Sequence, residues 1–188
     1  MEDKLNTEQK KELLNIARKT VAEYLQEGVI PDFSVSDPIL NKKQGAFVTI
    51  HKNGQLRGCI GRVLPGDQPL WQVVRDMAIA AATQDSRFFP VEASELPELE
   101  FEISILSVPR KIDDWRKIEL GKDGVILQQG LNSALFLPQV ATESGWSREE
   151  FLQHLCLKAG LEPNCFLNPE TEISVFQADV FSEKDFEK

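Results

Sequence analysis

A chain of 188 residues falls within one domain, or one domain with a small appended lobe, and is long enough to bury its own core. Its 21 lysines and arginines against 30 aspartates and glutamates leave a net charge of −9, which opposes nonspecific attraction to phosphate backbones. No apolar run approaches the roughly 18 residues of a membrane helix, and Met1-Glu2-Asp3-Lys4 lacks a signal peptide's basic start and apolar core, so a cytoplasmic protein is expected.

The first helix is predicted over Thr7–Glu27, where Leu13, Leu14, Ala17, Val21, Tyr24 and Leu25 recur at helical spacing. Thr7 stands where a cap belongs at its start, and Gly28 where a left-handed cap ends it. Residues 29–44 read as an irregular connection. Two strand-like runs follow, Ala46–His51 and the stretch around Leu56-Arg57-Gly58-Cys59-Ile60-Gly61, joined by the hairpin signal Asn53-Gly54. Pro69 opens a second helix reaching about Thr83, and its Ala78–Ala82 end suits close packing by another element.

The loop 84–90 carries Asp85, Arg87 and the adjacent aromatics Phe88 and Phe89. Leu99–Val108 alternates as a strand, and a short helix is expected over Asp113–Ile118. Gly124–Gln128 and Ser133–Leu137 form a second hairpin, which Pro138 ends because it cannot donate to a ladder. Ser147-Arg148-Glu149-Glu150 has capping-box spacing and opens a helix that Gly160 stops. The last strand is expected over Ile173–Phe181, and the 182–188 tail is charged enough to fray. With two hairpins and no regular βαβ alternation, the pattern predicts an α+β fold around a mostly antiparallel sheet flanked by helices.

Chemistry concentrates at Arg57 and Cys59. Two residues apart on one strand, they share a face, and a guanidinium beside a thiol favours the nucleophilic thiolate. Gly58 and Gly61 mark a bulge or a close approach by another backbone or a ligand. The plainer alternative is a small buried cysteine in a kinked strand, with Arg57 in a salt bridge. Arg87 is either a local partner of Asp85 or a second cation facing a ligand. A proton acceptor for the thiol would have to be His51 or His154, both of which also read as ordinary surface residues.

Cys156 lies on the apolar stripe of its helix and reads as core. Three cysteines, Cys59, Cys156 and Cys165, are an odd number at wide spacing, which predicts free thiols in a reducing compartment rather than disulfides. With no CxxC and only two histidines, neither a metal site nor a cofactor is expected.

Gly45-Ala46-Phe47-Val48-Thr49, Leu56-Arg57-Gly58-Cys59-Ile60-Gly61, Asp85-Ser86-Arg87-Phe88 with Pro90, Glu102-Ile103-Ser104-Ile105-Leu106, Leu137-Pro138-Gln139-Val140-Ala141 and Leu155-Cys156-Leu157-Lys158-Ala159-Gly160-Leu161 resemble, in this order, the AMMECR domain family. Its bacterial and archaeal members are called AmmeMemoRadiSam system protein A. The family often has Asp-Pro-Arg-Phe where this chain has Asp85-Ser86-Arg87-Phe88. The resemblance runs from the first helix nearly to the C-terminus. It implies a single AMMECR-like domain over 1–188 with two unequal lobes and a cleft near the signature hexapeptide. It also implies Memo-like and radical SAM partners, and a role with nucleic acid has been suggested for the family.

Two functions follow from these readings. One is a cysteine-dependent enzyme acting on an anionic substrate, with Cys59 as nucleophile, Arg57 lowering its pKa, His154 as a weak candidate for proton transfer and Arg87 binding the anion. The other is a non-catalytic binding module in which Arg57, Gly58, Gly61 and Arg87 hold a nucleotide-like molecule, nucleic acid or protein partner.

Overall fold

The computed structural model describes residues 5–64 and 66–186, which fall into two compact units. The first comprises the chain up to Leu106 and again from Asp179, and the second is Ser107–Ala178. Met1-Glu2-Asp3-Lys4 and the last two residues of the charged tail lie outside the described residues.

In the first unit, helix α1 (Thr7–Glu27) buries Leu13, Leu14, Ala17 and Val21 on one stripe. Its cap is Asn6, one residue earlier than expected: the Asn6 side chain accepts from the Gln9 N–H while the Gln9 side chain accepts from the Asn6 N–H. Gly28 ends the helix at φ 70°. Strands β1 (Ala46–Lys52) and β2 (Gln55–Arg62) form the expected hairpin, with Asn53 and Gly54 both at positive φ. Helix α2 (Leu70–Thr83) leads to strand β3 (Leu99–Leu106).

The sheet runs β2-β1-β3-β8, the last strand being Ala178–Ser182. Val48 opposes Ile103 and Ile50 opposes Phe101, so these four fully buried side chains share one face of the sheet. They join Leu13 and Val21 of α1 and Val73 and Val74 of α2 in one core.

The tail is tied down rather than frayed as far as Phe186. Arg18 pairs with Glu183, whose Oε2 also accepts the Phe101 N–H at 2.9 Å, and a 3-10 turn spans Glu183–Phe186.

In the second unit the sheet order is β4-β7-β5-β6, with β4 Arg110–Ile112, β5 Gly124–Gln129, β6 Asn132–Phe136 and β7 Glu172–Phe176. All its pairings are antiparallel. Asp113–Ile118 contracts to a 3-10 turn at Trp115–Lys117. Pro138 does end β6, and its fixed φ then starts helix α3 (Pro138–Ser144). Helix α4 (Arg148–Lys158) has the Ser147/Glu150 capping box, and Gly160 follows at φ 75°. Phe151, Leu152 and Leu155 of α4 pack with Val125, Leu127 and Val175.

Two expectations fail here for physical reasons. Alternation runs unbroken through Gln177, yet the chain changes sheets there, so the single last strand is two. Cys156 and Cys165, expected to be free thiols, form a disulfide with Cα atoms 5.9 Å apart. The left-handed turn at Gly160 folds the following loop back on the end of α4 and brings the two together. Cysteine usage therefore no longer speaks for a reducing compartment. Among the described residues no helix is long and apolar enough to cross a membrane.

Candidate functional site

The hexapeptide lies on β2, the edge strand of the first sheet. Thr49 opposes Cys59 on one side and Glu102 on the other, so these three side chains share the face away from the Val48/Ile50 core. Gly58 opposes Ile50 and faces the helices, where a Cβ would stand 2.1 Å from the Ala81 carbonyl oxygen. The small-residue end of α2 and Gly58 thus meet backbone to backbone. Gly61 is filled likewise, since its Cβ would lie 2.2 Å from Phe47 Cγ. Both glycines serve packing within the unit.

Arg57 does not stand beside the thiol. The ladder pairs Ile50 with Gly58 and His51 with Leu56, so Arg57 is the extra residue of a β-bulge and the two-residue alternation breaks there. Its guanidinium is used internally. Nε and Nη2 donate to the two carboxylate oxygens of Glu95 at 3.1 and 2.9 Å, Nη1 to the Phe89 carbonyl at 2.9 Å and Nη2 to the Pro90 carbonyl at 3.3 Å. Arg57 pulls Glu95 down to about 2, with a smaller pull from Lys52.

The cation near Cys59 is Arg87. Asp85, buried and with a side chain only 5% exposed, accepts the Cys59 N–H on Oδ2 at 2.9 Å and grips Arg87 through Nε at 2.9 Å and Nη2 at 2.7 Å. It also accepts the Arg87 N–H at 3.2 Å, which fixes the turn. The Arg87 guanidinium holds the Asp85 carboxyl far below the usual carboxylate range. The local-pair reading of Asp85 and Arg87 is thus realised, while Arg87 itself stays 56% exposed.

The Cys59 thiol is half-buried, and burial pushes its pKa up. A hydrogen bond from Thr49 Oγ1 at 3.3 Å and the Arg87 charge pull it down, while Asp85 and Glu102 push it further up. The net shift is upward, opposite to the expected activation. His51 lies on the Thr49 face of β1 one ladder step further along, and the side-chain hydrogen bond on the Cys59 thiol comes from Thr49 instead. His154 belongs to α4 in the second unit, where its ring stacks on Trp146 at 3.9 Å. The residues brought together are therefore Cys59, Thr49, Asp85 and Arg87, with Arg57 bracing the adjoining loop. Asp85 was legible only as a partner for Arg87; its bond to the Cys59 amide crosses 26 positions and has no sequence signal.

Beside this cluster a cavity of about 470 Å³ is lined by Arg57, Ser86, Arg87, Phe88 and Phe89, the last 91% exposed. Among the described residues no group of three or more His, Cys, Asp or Glu could hold a metal ion.

The AMMECR1 family profile matches residues 14–181. The chain belongs to the AMMECR1 family. Protein NEQ441 of Nanoarchaeum equitans is 45% identical to this AMMECR1 chain over 91% of it and 98% of the relative. Protein MK0488 of Methanopyrus kandleri is 41% identical over 98% and 93%. The crystal structure of the uncharacterized protein PH0010 from Pyrococcus horikoshii superposes with a TM-score of 0.86 at 39% identity, covering 92% of this chain and 90% of that one. The AMMECR1 fold is thus an α+β architecture of two antiparallel sheets with flanking helices.

Proposed function

We propose that this protein is a binding module for a small anionic ligand carrying a flat ring, such as a nucleotide, and that Arg87 is its principal contact. The carrying observation is the half-exposed Arg87, gripped by buried Asp85 at the mouth of a cavity lined by Phe88 and Phe89. Asp85 uses Nε and Nη2 only, so Nη1 is uncommitted among the described residues and its donors are held in a fixed plane. Arg57 is a positioning residue that holds the Phe89-Pro90 backbone. In this reading the Memo-like and radical SAM proteins implied by the family resemblance are the partners such a module serves.

Titration of adenosine monophosphate by calorimetry tests the proposal. Arg87→Ala should weaken binding tenfold or more, and Cys59→Ser should leave it within twofold. Equal binding by Arg87→Ala and the parent protein overturns it.

One observation favours the cysteine enzyme as a second reading: Thr49 Oγ1 and the Arg87 charge both favour the thiolate. Alkylation of native Cys59 across pH decides this. An apparent pKa well below about 8.5 would restore the nucleophile, and slow modification until alkaline pH supports the binding module.

A further inference from the structure

The second unit contains a preformed cavity that neither reading above uses. It holds about 470 Å³ and is lined by residues of β4, β7, the Trp115 turn and the 166–171 loop. Ile112 and Ile173 are cross-strand partners on β4 and β7, so they present one apolar surface to it. The Trp115 ring meets the buried Phe166 edge-on with centroids 5.2 Å apart, and the Arg116 guanidinium lies 4.9 Å from the Trp115 ring.

Unlike most exposed loops, the loop forming the remaining wall is fixed many times over. The disulfide pins Cys165 to α4. Thr171 Oγ1 donates to the Cys165 carbonyl at 2.7 Å, the Asn168 and Thr171 N–H groups close two successive turns, and Asn168 Oδ1 accepts the Glu170 N–H at 2.9 Å. A rigid concave surface of aromatic and aliphatic groups with a few convergent polar atoms is the usual form of a small-molecule site.

The polar atoms left over decide the ligand's chemistry. Asp113 is paired with Lys117 and Lys111 with Glu172. Arg116 engages Asp114 through Nη1 only, leaving Nε and Nη2 uncommitted among the described residues. Asn168 uses its Oδ1 internally and so offers its Nδ2. What remains is a set of donors beside an indole.

We propose that this cavity is a second ligand site, independent of Arg87, for a flat aromatic molecule bearing an oxyanion. The ring packs against Trp115 and the Ile112/Ile173 surface, and the oxyanion is met by Arg116 and Asn168.

Naphthalene-2-carboxylate is the probe, with naphthalene-2-carboxamide as its uncharged isostere, each titrated into the full chain and followed by the Trp115 indole N–H resonance. The carboxylate should shift that resonance and bind at least tenfold more tightly than the carboxamide. Asn168→Asp sits on an exposed loop and should weaken the carboxylate tenfold or more by repulsion while leaving the carboxamide unchanged. Arg116→Ala should erase the preference for charge, and the Trp115 shift itself should be the same in Arg87→Ala as in the parent. Equal affinity for the two probes, an unmoved Trp115 resonance, or carboxylate binding indifferent to Asn168→Asp would overturn the proposal.

Discussion

Asp85→Asn separates two roles of one buried carboxylate. Oδ1 accepts the Arg87 N–H and Nε, and Oδ2 accepts the Cys59 N–H and Arg87 Nη2. In either orientation an amide places its NH₂ against two donors, so two bonds are lost and the other two lose the charge of their acceptor. Bonds to charged groups contribute about 1.5–3 kcal/mol each net, and an orphaned buried donor costs about 1–3 kcal/mol. Arg87 is more than half exposed and recovers much of its loss from water, which leaves a destabilisation of about 2–4 kcal/mol.

The same change removes one of the two carboxylates that push the Cys59 thiol up and leaves Arg87, which pulls it down. The apparent pKa of Cys59 should therefore fall. Urea denaturation reads the first effect. Iodoacetamide labelling of the Cys59 peptide between pH 7 and 10 reads the second, and at pH 8 the variant should label faster than the parent. A variant as stable as the parent within about 0.5 kcal/mol, or one whose Cys59 titrates higher, refutes this account of the cluster.

Gly58→Ala should destabilise by about 1–3 kcal/mol or more, because the new Cβ meets the Ala81 carbonyl of α2 rather than a flexible side chain, and thermal unfolding measures it. Glu95 titrates at about 2 when folded, below its ordinary value near 4.5, so it stabilises the fold above pH 4.5 and loses that contribution as pH falls toward 2; the stability gap between the parent and Glu95→Gln should close over that window. Thr20 is fully buried with its Oγ1 unpartnered, so Thr20→Val should be neutral or raise stability by up to about 1 kcal/mol in a denaturant titration. Cys165→Ala opens a ring spanning nine positions and should cost about 2.6 kcal/mol by the chain-entropy relation, with the loss appearing in probes of the second unit such as Trp115 fluorescence.

Much of the fold is legible where local chemistry decides the backbone. Asn53-Gly54 announces its hairpin because both positions need positive φ, and Ser147/Glu150 announces a helix start because the two side chains cap each other. The Gly58 and Ala78–Ala82 pattern correctly foretells a close approach, with a helix backbone as the occupant. What escapes is set by distant pairing. The Cys59 amide finds Asp85, Arg57 finds Glu95, and Cys156 finds Cys165 only after the chain has turned back, and no spacing rule encodes those meetings. Gln177 hides a change of sheet because a period of two continues on both sides of it.

The bulge at Arg57 makes the signature hexapeptide a poor part to transplant. Moved onto a regular hairpin, the same six residues would turn Arg57 to the thiol's side and leave the Phe89-Pro90 backbone without its brace. Deleting Arg57, the spare residue itself, would make the ladder regular with Leu56 still opposite His51, and the Phe89-Pro90 backbone would again lose its brace. The spare residue thus works as a change of address: it frees Arg57 from the alternation that places the thiol, so that one short strand both holds Cys59 and braces a loop, and a designer copying the site would have to copy the irregularity first.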